Sequence, residues 1–224
     1  MGSGGAARAG AHRVLGALIA VHTATQKVLV LFAHPALEKS RVHRRLVRAA
    51  RDVEGVTFHD LYEAYPDFDV DVPREQELLL AHDFYVLQHP FYWYSTPPLV
   101  KQWLDLVLEH GWAYGQDGTA LRGKPMLSVI TAGGGEASYS AEGLNRFTVR
   151  ELMTPLAQTA LLCGIDYLPP YVLHGTHDMD ESDIARTAEQ YARVLAALRD
   201  GHVDLARARD LPRFNADLAA LLGS

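Results

Sequence analysis

The segment Val28-Leu29-Val30-Leu31-Phe32-Ala33-His34-Pro35-Ala36-Leu37-Glu38-Lys39-Ser40 combines three signals in thirteen residues. Its first five residues are a continuous β-branched and aliphatic run, the pattern of a strand buried on both faces, as a parallel sheet requires. A polar loop follows, and Ser40 then offers an N-cap to a helix in which Val42, Leu46, Ala49 and Val53 recur at helical spacing. Strand, loop and helix open a βαβ unit.

The alternation repeats downstream. Strands are predicted at Val56 to Leu61, Phe84 to Gln88, Met126 to Thr131 and Asp166 to His174, the last interrupted by Pro169-Pro170. Helices are predicted at Pro73 to Ala81, after Pro97-Pro98 with Leu99, Trp103, Leu106 and Val107 inward, at about Thr148 to Cys163, and at Glu181 to Arg199. Gly164 and Gly201 stand where C-caps are needed. The expected fold is α/β: a flavodoxin-like, doubly wound, five-stranded parallel sheet of order 2-1-3-4-5. Residues 27–201 form that domain. Residues 1–26 are a Gly- and Ala-rich extension without acid, expected to be poorly ordered or to add a helix, and 202–224 a C-terminal extension. Val14 to Val21 behind Arg8 and Arg13 resembles a weak signal peptide, but it is short and broken by Gly16.

Composition narrows the function. With 21 basic and 27 acidic residues the net charge is −6, which argues against nucleic acid as the main partner. The one cysteine, Cys163, forms no intramolecular disulfide and no thiolate metal cluster, so a reducing, cytoplasmic setting is expected and any redox chemistry needs an added cofactor. Charge is unevenly spread: residues 39–51 hold six basic side chains and no acid.

In doubly wound sheets ligands sit beyond the carboxyl ends of the strands. Three loops meet that condition. In the first, Ser40, Arg41, Val42 and His43 at a helix start could cradle one phosphate monoester, though they also suit an ordinary N-cap. In the second, Phe91-Tyr92-Trp93-Tyr94 places consecutive aromatics ahead of prolines, suited to a planar ligand or to a partner-protein surface. In the third, Thr131-Ala132-Gly133-Gly134-Gly135 gives close backbone approach, and Tyr139 adds a donor. A flavin mononucleotide (FMN) fits a phosphate pocket, an aromatic platform and a donor-rich loop. His174, His177 and Asp178 lack a third fixed ligand and read as polar surface, so no metal is expected. Asp67, Asp69 and Asp71 lack the glycine and distal glutamate of a calcium loop, and no Gly-x-Ser-x-Gly elbow exists.

The segments Ala33-His34-Pro35 with Ser40, Pro90 to Trp103, Gly111-Trp112-Ala113-Tyr114-Gly115, Leu121 to Lys124, Thr131 to Tyr139 and Cys163-Gly164 resemble the NAD(P)H:quinone oxidoreductase (DT-diaphorase) family. Tyr65-Pro66-Asp67-Phe68 and the Gly111 to Gly115 segment are most similar to the ancillary flavoproteins of glutathione-gated potassium efflux systems. The resemblance implies FMN, or FAD as in larger relatives. It implies a homodimer with flavin near the interface, and two-step hydride transfer from NAD(P)H through flavin to a quinone. It also implies a possible second role as a redox-sensing regulatory subunit of a potassium/proton antiporter, peripheral to the inner face of the membrane. By resemblance, His34 and Ser40 to His43 belong to the phosphate and ribityl end. Phe91 to Tyr94 and Thr131, Ala132, Gly133 and Gly134 belong to the ring, and Tyr139 steadies the reduced form. Asn145 stands where some diaphorases have a histidine, so a Tyr–His proton relay is not expected there.

Overall fold

The computed structural model describes residues 25–223. The readings of residues 1–24, including the resemblance to a signal peptide, lie outside the described residues.

Five strands carry the sheet path: β1 (Val28–Phe32), β2 (Val56–Asp60), β3 (Phe84–Pro90), β4 (Pro125–Thr131) and β5 (Asp166–Tyr167), all parallel and ordered β2-β1-β3-β4-β5. This is the expected flavodoxin-like order. A sixth strand, β6 (Tyr171–Leu173), also pairs with β4. It arises because Pro169 and Pro170 have no N–H to donate, which splits the expected fifth strand in two. Side chains alternate along β1, β3 and β4. Leu29, Leu31, Tyr85, Leu87 and Ile130 enter one core, and Val28, Val30, Phe84, Val86, Leu127 and Val129 enter the other.

The first core is closed by α2 (Leu61–Ala64), α3 (Val72–Leu80), α4 (Pro98–Val107), α5 (Val149–Leu152) and α6 (Thr154–Leu162). The second is closed by α1 (Arg41–Arg51) and α7 (Glu181–Arg199), with α8 (Leu205–Asp210) and α9 (Leu218–Leu222) contributing Ala208, Leu218 and Leu221. Three local differences from the sequence reading have physical causes. The helix expected at Thr148 to Cys163 is two helices, because Pro155 cannot continue the first one's hydrogen-bond ladder. The second strand ends at Asp60, whose carboxylate accepts from the amides of Tyr62 and Glu63 and so starts α2. On α4 it is Val100, not Leu106, that joins Leu99, Trp103 and Val107 in the core.

The C-terminal residues also close the sheet edge. Asn215 accepts from the Val172 amide (3.0 Å) and donates to the Val172 carbonyl (2.9 Å), while the Phe214 amide donates to the Pro170 carbonyl. Phe214 itself is buried in the second core.

One buried carboxylate ties the first core together. Glu75 is 0% exposed and is bonded by the Tyr65 hydroxyl (2.6 Å), the Trp103 indole N–H (2.8 Å) and the His59 ring (2.8 Å). Burial pushes its pKa up, but the bonds from His59, Tyr65 and Trp103 outweigh burial and hold it below the ordinary carboxylate value. A carboxylate with a depressed folded pKa adds stability above its unfolded pKa and loses it as pH falls through the folded one. Glu75→Ala should therefore cost roughly 3 kcal/mol at neutral pH, because two buried donors lose their acceptor. Urea unfolding at neutral and acidic pH checks this: the gap to the parent protein should narrow as pH drops below about 4.3. A pH-independent gap would show that Glu75 acts through packing alone.

Candidate functional site

A cavity of about 470 Å³ opens at the carboxyl ends of β1, β3 and β4, lined from all three predicted loops. Ser40 caps α1, its Oγ accepting from the His43 amide (3.1 Å). The Arg41 and Val42 amides are in the first helical turn, where no intrahelical acceptor exists, and both residues border the cavity. The His34 ring borders it too. Its Nδ1 accepts from the Ala36 amide (3.1 Å), which places the ring proton of the neutral form on Nε2. Burial lowers the His34 pKa, against an opposing pull from Glu38, so the ring is neutral at pH 7.

The aromatic loop is held in an unusual shape. Ser95 donates to the Tyr92 carbonyl (3.0 Å), and between them Trp93 (φ 48°) and Tyr94 (φ 62°) both occupy the left-handed region. Non-glycine residues there cost roughly 1 kcal/mol or more each, strain of the kind that collects at ligand sites. Phe91 is buried and lies against Tyr94 and Tyr139, whereas Trp93 is 93% exposed at the cavity rim. The Tyr94 hydroxyl donates to Asn145 Oδ1 (3.0 Å), so Asn145 braces the aromatic loop rather than Tyr139.

At the third loop, Thr131 and Gly133 line the cavity. A Cβ on Gly133 would stand 2.3 Å from His177 Nε2, so only glycine leaves room for that imidazole. Ala132 is buried and donates its amide to the Leu173 carbonyl. Gly134 and Tyr139 sit together behind this wall, with Tyr139 against His174 (ring centroids 5.3 Å) on an adjoining cavity of about 480 Å³. Burial, then the neighbouring Tyr94, push the Tyr139 pKa up, so the phenol keeps its proton.

The structure thus brings His34, Ser40, Arg41, Val42, Phe91, Tyr92, Trp93, Thr131 and Gly133 around one space. It places Tyr94, Ala132, Gly134, Tyr139 and Asn145 behind or beside it. Two side chains of this helix start have partners within the protein. The His43 amide donates to Ser40 Oγ, and its ring is buried beneath the cavity against Thr131 and Gln88. The Arg41 guanidinium is paired with Glu181 of α7 (2.9 Å) instead of being free for a phosphate. Lys39, Pro90, Thr176 and His177 also line the cavity. Thr176 and His177 were legible only through topology, since the loop after β6 ends at the same sheet edge as the other three.

A family model described as a flavodoxin-like fold matches residues 26–195. The glutathione-regulated potassium-efflux system ancillary protein KefF of Klebsiella pneumoniae is 42% identical over 175 residues, 78% of this chain and 98% of that protein. Among solved structures, general stress protein 14 of Treponema denticola in complex with FMN is 40% identical (TM-score 0.73, 77% of this chain and 99% of that one). An NADPH-quinone reductase from P. pentosaceus is 32% identical (TM-score 0.68, 75% and 96%).

Because Trp93 buries almost nothing yet carries backbone strain, Trp93→Gly should raise stability by about 0.5–1 kcal/mol. Urea denaturation of the ligand-free protein reads this, and a fall in stability would mean the indole contributes packing.

Proposed function

Because the chain belongs to the flavodoxin-like fold family, whose model spans residues 26–195, we propose that it is an FMN-dependent oxidoreductase. In this reading it takes a hydride from NAD(P)H and passes it to a quinone. The observation that carries the proposal is the single cavity joining the α1 N-terminus to the aromatic turn and Gly133. Each wall fits one part of FMN. The Arg41 and Val42 amides and Ser40 suit a phosphate, Tyr92 and Trp93 flank a planar ring, and Thr131 and Gly133 border the same space. The FMN-bound Treponema relative and the P. pentosaceus quinone reductase support the same assignment.

FMN, when bound, supplies the two-electron chemistry that no side chain here can perform. The chain's own residues do the rest. Ser40 and the first-turn amides hold the phosphate, with the positive end of α1 behind them. Phe91, braced by Tyr94 and Asn145, fixes the height of the aromatic wall. Tyr139, protonated and beside Gly134, is the candidate donor that steadies negative charge at the ring edge. Asn145 is occupied by Tyr94 and moves no proton. One open cavity serves both NAD(P)H and quinone, which fits alternate binding in a ping-pong sequence. Exposed Trp93, Leu144 and Phe147 suit burial in a homodimer that completes the site.

A second reading rests on the Klebsiella relative: a regulatory subunit on the cytoplasmic face of a potassium/proton antiporter, with the flavin reporting redox state. No helix among the described residues is long and apolar enough to cross a membrane.

Purified protein should be yellow or take up FMN, and should oxidise NAD(P)H with quinone acceptors. Protein that binds no FMN refutes the enzyme. Flavin binding with no turnover on any quinone, together with co-purification of a transporter, favours the regulatory reading. Ser40→Ala should weaken FMN retention by about tenfold while Arg41→Ala changes it less, given the Glu181 pair; the reverse order would restore Arg41 as the phosphate ligand. For Tyr139→Phe, hydride transfer should slow by roughly tenfold to a hundredfold with FMN retained. An unchanged stopped-flow rate would leave Tyr139 a packing residue.

A further inference from the structure

Behind the cavity wall runs a line of buried polar side chains that cofactor binding alone does not call for. The Tyr191 hydroxyl of α7 donates to Gln88 Oε1 (2.9 Å), Gln88 Nε2 faces His43 Nδ1 (3.4 Å), and His43 Nε2 faces Thr131 Oγ1 (2.9 Å). Tyr191 and Gln88 are fully buried and His43 is 1% exposed, while Thr131 ends the line at the cavity. We propose that Tyr191, Gln88 and His43 are positioning residues that fix the direction of this chain, so that Thr131 presents its hydroxyl hydrogen to whatever occupies the cavity. The proposal rests on the FMN reading for the identity of that occupant.

The direction follows from proton counting. The Tyr191 hydroxyl meets no other acceptor among the described residues, so its hydrogen must go to Gln88 Oε1. That turns the Gln88 amide nitrogen toward His43 and makes His43 Nδ1 an acceptor. The imidazole is neutral, because burial and then the neighbouring His34 and His89 rings hold its pKa well below the usual value. Its one proton is therefore on Nε2 and is donated to Thr131. With that lone pair used, the Thr131 hydrogen has no acceptor among the described residues and is free for the cavity. Reversing the chain by flipping Gln88 would strand the Tyr191 hydrogen in the core, at a cost of roughly 1–3 kcal/mol. Successive donors also polarise one another, which strengthens the terminal one. A donor at this point favours an occupant that gains negative charge, as reduced FMN does.

Two measurements test the chain separately from the cofactor. In the full-length protein without FMN, heteronuclear NMR with isotope-labelled histidine should show His43 as the Nε2–H tautomer between about pH 6 and 8. Tyr191→Phe should abolish that single tautomer, since Gln88 is then free to flip. An Nδ1–H tautomer in the parent protein, or an unaltered one in Tyr191→Phe, overturns the proposal. With FMN, the ratio of Kd values for oxidised and chemically reduced cofactor is read. Thr131→Val and Tyr191→Phe should each move it against the reduced form by about threefold to tenfold. Thr131→Ser should keep the parent ratio, and the double variant should be no worse than Thr131→Val alone. Additive effects of the two substitutions overturn the chain, because Tyr191 would then act by another route. Failure of the parent protein to bind FMN refutes the cofactor assignment instead, and the tautomer measurement then decides the chain.

Discussion

Every residue of β1 is buried, and its backbone groups have only β2 and β3 to bond with. Such a strand has no solvent face, so its side chains are apolar, and its parallel neighbours need crossovers that return over the two faces. The consequence is geometric. Chains leaving β1, β3 and β4 all emerge at one edge, β1 two residues short of the level at which β3 and β4 end. The ligand-sized space between them is what remains when three loops of different character turn away from a common rim. The candidate site thus lies at that edge, while α1 to α9 serve the two cores behind it.

Much of this was legible because it depends on local pattern. Val28 to Phe32 could be nothing but a central strand, Ser40 had the hydroxyl its helix needed, and Gly164 and Gly201 adopt the left-handed conformation that ends their helices. Glycine and aromatic loops at the carboxyl edge pointed to the cavity wall before any distance was known. Proline acted as punctuation twice: Pro169-Pro170 separates β5 from β6 where the sequence is already interrupted, and Pro155 divides a helix that hydrophobic periodicity draws as continuous.

What remained hidden was the partner of each polar group. Nothing near Arg41 in the chain announces Glu181, which arrives from α7 and pairs with the Arg41 guanidinium at the surface. His43 is likewise three residues into a basic helix, yet it faces inward because position 43 falls on the buried arc with Val42, Leu46 and Val47. Glu75 lies in the helix predicted at Pro73 to Ala81, and only the fold gathers Tyr65, Trp103 and His59 around it. Periodicity locates side chains on faces. Pairing among polar groups is decided by tertiary register, which a single sequence does not encode in any short window.

The Asn215 contact with Val172 has a consequence for how the sheet ends. An edge closed by another strand merely moves the unpaired groups outward by one position, leaving a new template for a neighbouring molecule. A side-chain amide is different: it offers one donor and one acceptor, meets both backbone groups of Val172, and carries no further ladder beyond itself. It terminates a series that strands can only extend. Because it is supplied by residues beyond the stretch matched by the family model, this chain carries its own stop on lateral growth at the β6 edge, attached to the same polypeptide that creates that edge.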